Sequence, residues 1–154
     1  MTTRITPERP DTPGAMALIA ELEAHLASLY PAESRHGFSV ERLLAESVAF
    51  FVLRADGQPA GCGGIKLFGR DYGELKRMYV RPQFRGAGFG QMLIDHLAGH
   101  ARVNGVGRLR LETGIHQVAA IKLYEGAGFR RIPPFPPYRP DPLSLCFEKP
   151  LAPA

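Results

Sequence analysis

The chain has 154 residues, 45% of them hydrophobic and 22% charged, a composition that builds one cored domain and excludes both a disordered chain and a pair of ordinary domains. Nineteen Lys and Arg against fifteen Asp and Glu leave a formal charge of +4, and the excess is local. Lys76 to Arg110 carries seven bases and one acid, which makes the middle third the place for an anionic ligand.

The first ten residues contain no apolar stretch of signal-peptide length, and no run reaches the roughly 18 apolar residues of a membrane span. A cytoplasmic protein is therefore expected, a single domain over 1–154 with loose ends at 1–10 and 150–154. Thr12 before Pro13 predicts a capped helix start, and Leu18, Leu22, Leu26 and Leu29 recur at three and four until Pro31. Ser39 can cap a second, shorter helix over Val40 to Ala45. The period then changes. Val48 to Arg54 reads as a strand, Asp56-Gly57 as a tight hairpin turn, and Cys62 to Phe68 as the return strand. Cys62 and Cys146 are far apart with no CxxC pairing, so both read as buried small side chains.

A third antiparallel strand is predicted over Glu74 to Val80, ended by Pro82. Gly86-Ala87-Gly88-Phe89-Gly90 leads into a helix with Leu93, Ile94, Leu97 and Ala101 on one face, closed by Gly105 and Gly107. Arg108 to Thr113 alternates as a strand, a helix from about Gln117 to Gly126 follows, and short strands are predicted at Phe129 to Ile132 and Leu143 to Glu148. Strand, helix, strand reads as a parallel crossover, and the whole as a mixed α+β sheet. The six prolines from Pro133 to Pro142 read as a stiff loop over a cleft, with a ligand for a proline-binding domain as the other reading.

A strand, then a glycine-rich loop, then a helix start is an arrangement that offers backbone N–H groups to a diphosphate. Neither the dinucleotide nor the Walker spacing occurs. Gln83-x-x-Gly86-x-Gly88 after Leu75 to Val80 resembles the coenzyme A signature of the GNAT superfamily of N-acetyltransferases. Ala120-Ile121-Lys122-Leu123-Tyr124-Glu125-Gly126-Ala127-Gly128-Phe129 resembles that family's second motif, and the likeness extends over about residues 47 to 149.

The resemblance implies an α+β fold: a GNAT-like mixed, mostly antiparallel central sheet flanked by helices, with splayed fourth and fifth strands, counting a short first strand near Arg4 or Ile5. It implies acetyl-CoA in the gap, with the pantetheine arm along Met78, Tyr79 and Val80. The pyrophosphate would lie on the loop of Gln83, Arg85, Gly86, Ala87, Gly88, Phe89 and Gly90. Gln117 stands where the second motif often has Asn, and keeps an amide for the pantetheine. Transfer to an amine needs a base, a donor for the oxyanion and a proton for the thiolate. By resemblance these are Glu74, directly or through water, the backbone N–H of Met78 at a bulge, and Tyr124.

The implied activity is direct N-acetyl transfer to a primary amine of a small molecule or amino acid. An acceptor amine on a protein, and an acyl-CoA sensor or interaction module without catalysis, remain alternatives. Glu33, Arg35, His36, Phe38, Tyr138 and Arg139 are candidates for acceptor contact. His96 and His100 have helical metal-ligand spacing without a third ligand, so no metal is expected. Neither nucleic acid nor membrane is an expected partner, and a homodimer is left open.

Overall fold

A computed structural model describes residues 1–153. Seven strands form one sheet in the order β1-β2-β3-β4-β5-β7-β6. They are β1 (Thr3–Pro7), β2 (Ala49–Ala55), β3 (Gln58–Phe68), β4 (Tyr72–Val80), β5 (Arg108–Gly114), β6 (Arg130–Ile132) and β7 (Ser144–Pro150). Helices α1 (Pro13–Ala27), α2 (Val40–Ala45), α3 (Phe89–Val103) and α4 (Val118–Gly126) cover its faces. The mixed α+β sheet with flanking helices is the one expected.

Local chemistry accounts for most element ends. Thr12 accepts from the Ala15 N–H and Ser39 from the Arg42 N–H, so side chains cap α1 and α2. Asp56 and Gly57 both take positive φ, 49° and 82°, in the β2–β3 turn. Two expectations need correction. Residues 3–7 are not a loose end, because β1 pairs along β2 from Thr3↔Ala55 to Pro7↔Phe51. Helix α1 stops at Ala27 rather than running to Pro31: the Ser28 hydroxyl bonds the His25 carbonyl, and Leu29 is exposed. The crossover from β5 through α4 to β6 is parallel as expected, with β7 seated antiparallel between the two strands. At the other end the Leu151 N–H bonds the Gly107 carbonyl; Ala154 lies outside the described residues.

Two irregularities in β4 create the site. First, β4 and β5 are parallel and pair only at Gly73↔Leu109 and Glu74↔Arg110, so beyond Glu74 the strands splay and the β5-facing edge of β4 is left unpaired. Second, the β3–β4 register passes from Cys62↔Tyr79 to Gly64↔Lys76, so Arg77 and Met78 together face Gly63 in a bulge. Arg77 takes φ 55° there. The bulge sends Lys76 and Arg77 to the same side: Lys76 lies 4.0 Å from the Phe38 ring and the Arg77 Nε donates to the Phe38 carbonyl. A regular strand would drive Arg77 into the core beneath α3, where Ile94, Leu97 and Ala101 pack.

Candidate active site

The splay opens a cleft with three connected parts. A groove of ≈ 510 Å³ runs from the Arg85–Gly90 loop past Val80 and Ala120 to Met78 and Tyr124. A chamber of ≈ 100 Å³ lies between Glu74, Met78, Glu112 and Tyr124. A vestibule of ≈ 930 Å³ opens beyond it between the loop at 33–38 and the proline-rich segment at 136–142.

The groove fits an extended ligand with paired phosphates. Gly86 and Gly88 take φ 86° and 82°, and a Cβ on either would meet nothing within 4 Å, so the loop is an open cradle in a conformation that glycine adopts without strain. Gly88 precedes α3, whose first turn has neither a side-chain cap nor an acidic residue, which leaves its N–H groups for an anion. Arg85 is exposed and its Nε is held by the Val80 carbonyl at 3.0 Å. Gly90 instead serves packing, since a Cβ there would fall 2.6 Å from Leu123; its absence lets α3 lie against α4. Phe89 is buried, with its ring stacked on Phe84 of the same loop at 6.2 Å. Gln83 and Ala87 are exposed and do not line the groove. Gln117 lines it, but its Oε1 lies 3.1 Å from His25 Nε2, across the groove mouth.

At the chamber the bulge aims one backbone donor. The Arg77 carbonyl accepts from the Cys62 thiol on β3 at 3.3 Å. In a trans peptide the N–H points opposite to the C=O, so the Met78 N–H points away from β3 and into the splay. Tyr124 is 6% exposed, at the junction of groove and chamber. Burial pushes its phenol up from its ordinary value, and the nearby Glu112 carboxylate adds to this.

Glu74 is not a solvated edge residue. It is 1% exposed, lies 2.9 Å from Lys76 Nζ and accepts from the Tyr138 hydroxyl, which in turn accepts from Lys76 at 2.7 Å. Burial, then the Glu74 charge, pushes the Tyr138 phenol far up, so it stays protonated and donates. Burial lowers Lys76, against the pull of Glu74. The proline-rich segment is thereby latched over the vestibule, and Ser34 Oγ to Asp141 at 2.8 Å adds a second latch.

A second carboxylate in the chamber, Glu112 on β5, was not among the expected residues. It is half-buried and accepts from Ser144 Oγ at 2.6 Å. Burial raises its pKa above the ordinary carboxylate value despite that bond. Its strand pattern alone gave it no distinction from Arg108 or Arg110; only the splay turns it into a wall of the cleft.

The other expected acceptor contacts divide. Arg35, His36, Phe38 and Tyr138 surround the vestibule, with His36 edge-on to Tyr138 at 5.4 Å. Phe38 is buried beneath the cations of Arg42 at 3.8 Å and Lys76 at 4.0 Å. Glu33 and Arg139 are exposed on its rim. His116 stacks on Tyr30 at 5.5 Å, outside the vestibule wall. His96 and His100 both pack edge-on against Phe51. Among the described residues no His, Cys, Asp and Glu cluster suits a metal, and no helix is long and apolar enough to cross a membrane.

The chain resembles known proteins over nearly its whole length. The model of the acetyltransferase (GNAT) family matches residues 17–129. An IAA acetyltransferase of Azospirillum brasilense is 43% identical over 148 residues, 96% of this chain and 97% of that protein. A Klebsiella pneumoniae structure assigned as an acyl-CoA N-acyltransferase superposes with a TM-score of 0.84 at 39% identity, covering 98% of this chain and 99% of the other. N-acetylglutamate synthase of Neisseria gonorrhoeae, solved with coenzyme A and N-acetyl-glutamate, gives a TM-score of 0.76 at 26% identity over 99% of this chain and 36% of its own. With the splayed sheet, the open phosphate cradle and the groove between them, these matches establish that the chain belongs to the GNAT family of acetyltransferases and that acetyl-CoA is its cosubstrate.

Proposed function

We propose that the protein transfers the acetyl group of acetyl-CoA directly to a primary amine of a small molecule, inside the chamber between β4 and β5. The observation that carries this reading is the Met78 N–H, turned into the splay by the Arg77–Met78 bulge. A bound acetyl-CoA supplies an acetyl thioester; the chain supplies position and protons. The amides of Arg85 to Gly90 hold the diphosphate, and the unpaired edge of β4 at Met78 and Val80 aligns the pantetheine. The Met78 N–H meets the charge that develops on the carbonyl oxygen, as a fixed, preorganised donor.

Protons move at two atoms. Tyr124 gives its hydroxyl proton to the departing sulfur. Burial keeps that phenol protonated until a thiolate forms beside it. The amine must lose a proton, and two carboxylates face it. Glu74, the base implied by the resemblance, already holds Lys76 and Tyr138. We assign proton acceptance to Glu112, whose raised pKa brings it nearer the working pH, and leave Glu74 to fix the latch.

Thiol release from acetyl-CoA with a panel of amines tests the reading. Amine-dependent release is expected, and Tyr124→Phe should lower kcat by about ten- to a thousandfold with cofactor affinity nearly intact. A protein that binds acetyl-CoA and releases no thiol with any amine would instead be a sensor.

A further inference from the structure

Resting on that reading, we propose that the acceptor carries a carboxylate close to its amine, as an α-amino acid does, and that Arg35 and Arg77 receive it. Because the bulge puts Lys76 and Arg77 on one side, two guanidinium groups meet at the chamber wall. Arg35 comes from the loop after α1 and Arg77 from β4; both line the chamber with Met78, Glu112 and Tyr124. They share a single carboxylate, Glu23 of α1. Arg35 Nη1 donates to its Oε1 at 2.8 Å, and Arg77 Nη1 lies 2.9 Å from its Oε2.

That sharing leaves the pair one negative charge short. It also leaves donors unmet. Arg77 Nη1 is not in line for a hydrogen bond to Glu23, and Arg35 Nε is buried; neither finds an acceptor among the described residues. Buried guanidinium N–H groups without partners are costly, and a second carboxylate at the chamber wall would supply the missing charge. Lys76 is not a rival for it, because Glu74 already neutralises that ammonium.

Position narrows the class. Arg35 and Arg77 line the same chamber as Met78 and Glu112, so the amine and the carboxylate of one acceptor lie within that one space. The rest of the acceptor lies towards the ≈ 930 Å³ vestibule, whose walls mix the rings of Phe38, Phe68 and Tyr138 with charged side chains such as Arg42, Lys66 and Asp141.

Matched acceptors test this: phenylalanine, leucine and methionine, each beside its carboxamide and its decarboxylated amine, assayed by thiol release. The free acid should exceed both partners in kcat/KM by about ten- to a hundredfold, the range for a charge-assisted hydrogen bond. Arg35→Met should collapse that ratio towards one, and Arg35→Lys should restore part of it; the side chain is a quarter exposed, so the fold tolerates the change. Equal or better turnover of the neutral partners, or a ratio that survives Arg35→Met, overturns the proposal while acetyl transfer itself stands. No transfer to any of these acceptors, from a protein that binds acetyl-CoA, overturns it too. Failure to bind acetyl-CoA would instead overturn the reading beneath it.

Discussion

Two glutamates in one chamber differ because of what already holds them. Glu74 is the more buried but has an ammonium and a phenol as partners, whereas Glu112 has one serine hydroxyl and a dry wall. The raised pKa of Glu112 has two consequences of opposite sign. For catalysis the ionised form is the base, so kcat/KM should rise with pH along a limb displaced above the ordinary glutamate value of about 4.3. For stability the neutral form is favoured by folding, so ionisation costs the fold. That cost is absent below the unfolded pKa, grows between the unfolded and folded values, and is complete above the folded one. Glu112→Gln should therefore abolish the limb, slow turnover by about 10²- to 10⁴-fold, and raise Tm at neutral pH by a margin that closes on acidification. Glu74→Gln should keep the limb while loosening the segment around Tyr138. Rate profiles and melting curves across pH check both; a limb lost in Glu74→Gln and kept in Glu112→Gln would return the base to Glu74.

Glycines that look alike in the loop before and into α3 separate once the elements pack. Gly88 has positive φ and open space where a side chain would go, while Gly90 is helical and pressed on Leu123. Gly88→Val should lower coenzyme A affinity by at least tenfold in a calorimetric titration, since its side chain enters the cradle. Its backbone strain, about 1–3 kcal/mol, is matched by Gly69→Val, at φ 58° in a turn outside the groove, which should melt earlier yet bind normally. Wild-type affinity in Gly88→Val would remove this loop from the phosphate site. Legibility in the sequence follows the same division between local and distant causes. The span of α2, the cap of α1, the Asp56-Gly57 turn and the strand-loop-helix at β4 and α3 are set by neighbours in sequence, and all were readable. Strand β1 was expected only through the family resemblance: Thr3–Pro7 is short, contains proline, and becomes a strand by pairing with β2 some fifty residues away. Glu112 and the Glu74–Tyr138 bond were illegible for the same reason, the latter joining positions 64 apart.

At the scale of the molecule the splay is a weakness as well as a site. Strands β1 to β4 with α1 and α2 meet β5 to β7 with α4 through only two parallel residue pairs in the sheet, and α3 packs against both sides. Helix α1 and its following turn compensate by reaching across. The Tyr30 hydroxyl accepts from the His116 N–H at 2.9 Å, its ring stacks on His116, and it occupies the space a side chain at Gly114 would need. His25 to Gln117 adds a contact at the groove mouth. A ligand lying along the unpaired edge of β4 and against α4 would join the same two halves in the place where the sheet does not. Acetyl-CoA at a hundred times its Kd should then add about 2.7 kcal/mol, a rise in Tm of roughly 5–11 °C for a chain of this size. Hydrogen exchange should locate the gain in residues 75–80, 85–90 and 115–124, with β1 and β2 changing little. Tyr30→Phe, which orphans the His116 N–H, should lower the apo stability by about 1–2 kcal/mol and speed exchange at 114–118, and acetyl-CoA should reverse part of that local loss. Protection spread evenly over the sheet, or confined to the loop before α3, would mean that the cofactor stabilises this fold without bridging its two halves.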